Sequence, residues 1–178
     1  DAPEASAVNG SGNEGGTISA TLIATDVDDD DPAGFTFSII SQPINKIDSV
    51  SIGAVSYTTG TFTANATYIH DGSETTSDSF TYKANDGTDD SNTTAATFSI
   101  AAINDAPVAM AVNSSGNEGD IITTTLIATD IDDIETSTFS FIIITQPTNI
   151  TGNVSIDDVS YSSGTFTAVA TYTHDDSQ

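Results

Sequence analysis

Apolar side chains along this 178-residue chain recur at every second position in short runs. Ile18, Ala20, Leu22 and Ala24 alternate with polar residues, and so do Phe35, Phe37 and Ile39. Val50 and Ile52 make a shorter run, and Phe62, Ala64, Ala66 and Tyr68 a longer one. Phe80, Tyr82 and Ala84 follow, then Ala96, Phe98, Ile100 and Ala102. A two-residue period puts every apolar member of a run on one face of a half-buried strand. Turn formers stand between the runs: DVDDDDPAG from Asp26, Gln42-Pro43, Gly60, and NDG from Asn85. No segment carries an apolar 3.6-residue period. With an opening strand at 5–9, about seven strands fall in about 100 residues, the density of a β-sandwich. The prediction is an all-β chain of immunoglobulin-like, seven-strand sandwiches built without Cys or Trp.

The chain also repeats itself. DAPEASAVNGSGNEGG at residue 1 returns as DAPVAMAVNSSGNEGD at residue 105, and TLIATDVDD at 21 as TLIATDIDD at 125. VSYTTGTFTANATYIHD at 55 returns as VSYSSGTFTAVATYTHD at 159. The offset is 104 without a gap, and 45 of the 74 alignable positions are identical. A period this long suits a string of globular beads and not a helical solenoid. The expected organisation is a complete repeat over 1–104 and an incomplete one over 105–178 that lacks its last two strands. Either these residues sample a longer chain, or a neighbouring molecule donates the missing strands to build a fibre.

Charge narrows the function. Asp and Glu number 26 against two Lys/Arg, a formal net charge of -24. Lys46 and Lys83 alone cannot make a basic surface, which excludes nucleic-acid binding through phosphates. The absence of Cys excludes zinc fingers and disulfide-stapled domains. No apolar run approaches the ~18–20 residues of a membrane span, so no membrane insertion is expected, and no signal sequence opens the chain. A hydrophobic fraction of 37% argues against disorder. Most of the acids are Asp, the residue of turns and of calcium loops.

Several of these motifs carry a family resemblance. Asn104-Asp105-Ala106-Pro107 resembles the interdomain linker of cadherins and of bacterial cadherin-like repeats. Ala-Thr-Asp-Ile-Asp-Asp at 128–133 is similar to the cadherin stretch with Asp-x-Asp calcium ligands, and Asn-Glu-Gly at 13–15 and 117–119 to the early glutamate motif. His70-Asp71-Gly72-Ser73-Glu74, Asp78-Ser79-Phe80-Thr81-Tyr82 and Asn85-Asp86-Gly87 resemble the tandem repeats of giant bacterial surface adhesins, themselves similar to the proteoglycan type.

The resemblance implies Ca²⁺ at the joint between repeats. The ion would be held by Glu14, Glu74 and Asp71 from the first repeat, Asn104 and Asp105 from the linker, and Asp130 and Asp132 from the second. Asp26, Asp28 and Asp86 would form a half-site facing an upstream domain, and Glu118 and Asp175 one facing downstream. The hard cation takes six to eight oxygens, which these side chains and backbone carbonyls supply. Cadherin linkers carry a further Asp where Ala102 and Ile103 stand here, so fewer ions are expected.

Blander readings stand beside these. Asp clusters at strand ends also serve as plain turns that cap and solubilise. His70 and His174 are expected to end strands at the surface, not to join a catalytic triad. Lys83 lies opposite the Phe80-Tyr82-Ala84 face and should meet solvent. Asn-x-Ser/Thr sequons at Asn9, Asn65, Asn92, Asn113, Asn149 and Asn153 are expected from a Ser/Thr-rich chain, without a prediction of glycosylation.

The leading expectation is therefore an extracellular, cell-surface structural segment. It would extend and space, with neighbouring repeats or identical chains in a fibre as partners, and would not be an enzyme. The alternative is an adhesion module binding carbohydrate or protein through its loops. A glycan partner has no exposed aromatic cluster to support it.

Overall fold

The structure, a computed structural model, describes residues 1–176. The chain divides into two compact units, Asp1–Ile103 and Asn104–Gln178.

The first unit contains nine strands: β1 (Glu4–Ala5), β2 (Val8–Asn13), β3 (Thr17–Thr25), β4 (Thr36–Ser41), β5 (Ser51–Ile52), β6 (Ser56–Thr58), β7 (Thr61–Ile69), β8 (Ser77–Asn85) and β9 (Thr94–Ala101). All seven expected strands are present. The opening one is split into β1 and β2, and β6 is additional. One layer centres on β3 paired antiparallel with β7 along its whole length, with β1, β5 and β6 at its margins. The other runs β4-β8-β9-β2, the last pair parallel. Ser11 of β2 pairs with Ser19 of β3, which joins the two in one sheet. β6 and β7 turn through Thr59 and Gly60, both at positive φ (45° and 77°), the twist a two-residue hairpin requires.

Both layers turn their alternate apolar residues inward onto a single core. Phe35 stacks on Phe62 at 3.7 Å, and Phe80 and Phe98 lie 5.5 Å apart. Tyr82 is buried but keeps its hydroxyl satisfied. It donates to Ser6 O and accepts from the Ile23 amide at 3.3 Å, tying β8 across the core to the opposite layer. Lys83 points away from that core, as alternation requires, and pairs with Asp90.

His70 corrects the expectation of a surface histidine, because it is fully buried. The chain after β7 folds back over the ring. Gly72 N–H donates to Nδ1 at 3.2 Å, which fixes the proton on Nε2, and Nε2 then donates to Thr75 Oγ1 at 3.0 Å. The alternation of Phe62, Ala64, Ala66 and Tyr68, carried one step further, puts residue 70 on the inward face, and the return of residues 72–75 closes over it. Both ring nitrogens are thereby committed to structure.

The second unit contains β10 (Val108–Ala109), β11 (Ile121–Thr129), β12 (Ile150–Ile156), β13 (Ser160–Ser162) and β14 (Thr165–His174) in one sheet. Its β11–β14 pairing repeats the β3–β7 register: Leu126 faces Ala168 as Leu22 faces Ala64. Phe139 stacks on Phe166 at 3.9 Å, as Phe35 does on Phe62.

Candidate functional site

Asp side chains just beyond a strand end serve first as local scaffolds, because a carboxylate accepts the backbone N–H groups two and three residues on. After β3, Asp26 Oδ1 accepts from the amides of Asp28 and Asp29 at 3.0 and 3.1 Å. After β8, Asp86 Oδ1 accepts from Thr88 and Asp89, both at 2.7 Å. These two turns bring Asp28, Asp29, Asp86 and Asp89 around one acidic hollow, together with Asp1. The Asp1 amino group donates to both oxygens of Asp28, at 2.9 and 2.7 Å. That contact and the hydrogen bond with Asp26 hold the Asp28 carboxyl below the usual aspartate range. The amides of Asp89 and Thr88 do the same for Asp86. Asp26 is only 6% exposed, and its Oδ2 has no hydrogen-bond partner among the described residues.

A second acidic group lies at the opposite end of β3. Nine residues at about 3.3 Å each separate the two. Glu14 donates its backbone N–H to Ala101 O at 3.0 Å, and Ile103 N–H donates to Glu14 Oε1 at 2.5 Å. The chain leaving β9 thus clasps the side chain. Glu14 is 9% exposed, and its Oε2 lacks a hydrogen-bond partner among the described residues. A carboxylate oxygen of Glu74 lies within 4.8 Å of one from Glu14. Two carboxylates so close repel unless a proton or a cation lies between them. Asp71 does not join them in the same way. Its Oδ1 accepts from Ser73 N at 3.0 Å, and the bond with Ser73 lowers its pKa.

In the second unit, Asp130 Oδ1 accepts from Asp132 and Asp133 at 3.0 and 2.9 Å, as Asp26 does from its own neighbours. Asp132 Oδ2 accepts from the Asp105 amide at 2.6 Å, the bond that stands where Asp1 meets Asp28. Asn104 donates its side-chain N–H to Asp105 O at 2.8 Å and shares a hollow with Asp130 and Asp133. Asn104, Asp105, Asp130 and Asp132 are therefore gathered. Glu118 differs from Glu14, being exposed, and Asp175 is half-buried after β14.

Asp29, Asp89 and Asp133 belong to these hollows and were missed by the sequence reading. The available signal was the adjacent acid, a further Asp directly after each Asp-x-Asp and DD one residue after NDG. Chemically, the donor set is hard oxygen with very little cation to balance it. Two of those oxygens are buried without a donor, a state that costs free energy unless a cation or proton satisfies it. The residues present fit a hard divalent cation.

Against known proteins, residues 1–100 match the family of bacterial Ig domains. The solved structure of InvE, an adhesin of Yersinia pseudotuberculosis, is similar at 17% identity with a TM-score of 0.32. The match covers 94% of this chain and 50% of InvE, so the chain spans about half the length of that protein. No curated protein matches.

Proposed function

Because the chain belongs to the bacterial Ig domain family, we propose that it is a structural extender of a secreted, multi-repeat surface adhesin or extracellular fibre, stiffened by Ca²⁺ where repeats join. The observation that carries the calcium reading is the pair of orphan oxygens, Glu14 Oε2 and Asp26 Oδ2, one at each end of the first unit. A free-standing acidic turn would leave such oxygens to water. Here each is buried beside further carboxylates, so a cation is the natural partner.

In this reading Glu14, Glu74 and Asp71 offer oxygens from the first repeat, Asn104 and Asp105 from the linker, and Asp130 and Asp132 from the second. Asp26, Asp28 and Asp86 do so for an upstream neighbour, and Glu118 and Asp175 for a downstream one. The ion, when bound, supplies positive charge that cancels repulsion among these groups. The protein's part is to hold them ready. Asx turns fix Asp26, Asp86 and Asp130, and the Ile103 amide fixes Glu14. A strongly acidic, Lys-poor surface also resists nonspecific association, which suits a spacer outside the cell.

The test is small-angle scattering and thermal melting of the whole chain with calcium and then with chelator. The expected result is a longer maximum dimension and a higher melting temperature with the ion, since binding only the folded state stabilises it. Asp130→Ala with Asp132→Ala should mimic the chelator. Identical dimensions and melting temperatures in both conditions would remove the clamp.

A further inference from the structure

Glu74 is exposed and sits on the loop that follows β7, yet one of its carboxylate oxygens stands within 4.8 Å of one from Glu14. Glu14 brings to that meeting Oε2, a buried oxygen without a hydrogen-bond partner among the described residues. A long, exposed side chain on a loop has many rotamers and a yielding backbone beneath it. Ordering both when an ion binds costs affinity. Whatever holds the backbone under Glu74 therefore sets how ready the pair is for a cation.

The loop is anchored on both sides of Glu74. Before it, Ser73 N–H donates to Asp71 Oδ1 at 3.0 Å. After it, Thr75 N–H donates to Ser73 O at 2.7 Å, and Thr75 Oγ1 accepts from His70 Nε2 at 3.0 Å. His70 is itself immobilised: its ring is fully buried, its Nδ1 accepts from Gly72, and its backbone N–H donates to Gly16 O at 3.0 Å. Gly16 lies two residues beyond Glu14, so one histidine ties the Glu74 loop to the turn that carries Glu14. The same two segments approach through glycines, since a Cβ added at Gly15 would stand 3.9 Å from the Gly72 Cα. Neither ring nitrogen is left to ligate an ion. The role open to His70 is to place Glu74.

We propose that His70 and Thr75 are positioning residues of the cation site at Glu14: their hydrogen bond holds the loop so that the Glu74 carboxylate faces Glu14 before the ion arrives. This inference rests on the calcium reading above and adds to it two residues that supply no oxygen to the ion. It needs no change in the charge of His70.

The experiment titrates the whole chain with Ca²⁺ and follows single amides by NMR. The Ile103 amide, bonded to Glu14 Oε1, reports the ion at Glu14, and the Thr88 amide, bonded to Asp86, reports the acidic hollow at the other end of β3. Thr75 is half-buried, so Thr75→Val, which keeps the shape and removes the hydroxyl, is better tolerated than a change at His70. It is expected to weaken Ca²⁺ at Ile103 about tenfold or more, the usual loss when the group behind a ligand is removed, and to leave the Thr88 response unchanged. Thr75→Ser, which keeps the oxygen, should restore the affinity. In chelator, Thr75→Val should quicken hydrogen exchange at Gly72 and Thr75 and leave 17–25 and 61–69 as they were. In a Glu74→Gln background, Thr75→Val should cost nothing further, because it acts through that carboxylate. Equal affinity at Ile103 in Thr75→Val and the unaltered chain overturns the positioning role and leaves the calcium reading standing. An additive loss in the Glu74→Gln background, or equal losses at Ile103 and Thr88, does the same. No response to Ca²⁺ at Ile103 in the unaltered chain overturns both.

Discussion

Leu22 and Leu126 occupy the same place in two copies of one sequence, TLIATD, and pair with the same partner residue type. Leu22 has no exposed surface, while Leu126 is half-buried. The contrast extends to backbone structure. Residues 36–41, TFSIIS, form β4, but their counterparts at 140–145, SFIIIT, form no strand. Residues 8–13 form β2, and 112–117 do not, although VN-SGN is common to both. The difference has one source. β4 pairs only with β8, and β2 pairs along its length with β9, and nothing in the second unit stands in for β8 or β9 among the described residues. A strand pattern is a capacity that a partner must realise, and the pairing β3–β7 survives in both units because each carries both of its strands.

The sharpest way to break this comparison is hydrogen exchange on the isolated chain. Protection is expected across 17–101 and little across 121–174. Without the β8 and β9 counterparts the second unit loses about four large side chains at about 1.5–3 kcal/mol each, against a typical margin of ~5–15 kcal/mol. Equal protection in a demonstrated monomer would mean that the β11–β14 sheet suffices alone.

A core truncation sharpens it further. Leu22→Ala should destabilise the first unit by about 2–5 kcal/mol, because a sealed core leaves a cavity. Leu126→Ala should cost less, about 1–2 kcal/mol, since part of that side chain already meets water. Chemical denaturation of the two variants gives the numbers, and similar losses would show that both sites are sealed in solution.

The histidines offer a smaller contrast. His70 is held by Gly72 and Thr75, whereas His174 is half-buried and its Nδ1 donates to Asp175 O, the opposite tautomer. His70→Ala should cost about 2 kcal/mol by stranding the Gly72 amide and opening a void, and His174→Ala about 0.5 kcal/mol. Thermal melts of the two variants check this.

The smallest effect is acid response. Asp86 is held below the ordinary 3.8 by the Asp89 and Thr88 amides, and Asp90 by Lys83 and Asn85. A depressed folded pKa contributes stability that is present above the unfolded value and lost as pH falls through the folded one. The protection of the Thr88 and Asp89 amides, taken relative to the intrinsic exchange rate at each pH, should therefore fall only below about pH 3.8. A change near neutral pH would contradict that assignment.

The legible part of this protein was whatever a short stretch of chain settles by itself. Period-two alternation fixed which side chains of β3, β7, β8 and β9 face inward, and the Asp-x-Asp turns scaffolded themselves through amides two and three residues away. The repeat was legible for the same reason, being written in the order of residues. What only the tertiary structure decided depends on groups far apart in sequence. Glu14 is buried because Ile103 reaches back to it, whereas the matching Glu118 is exposed. His70 is enclosed by a returning loop, and residues 36–41 are a strand because β8 lies beside them. Burial and hydrogen bonding are properties of pairs, and one sequence at two places therefore yields two structures when only one of them has its partner.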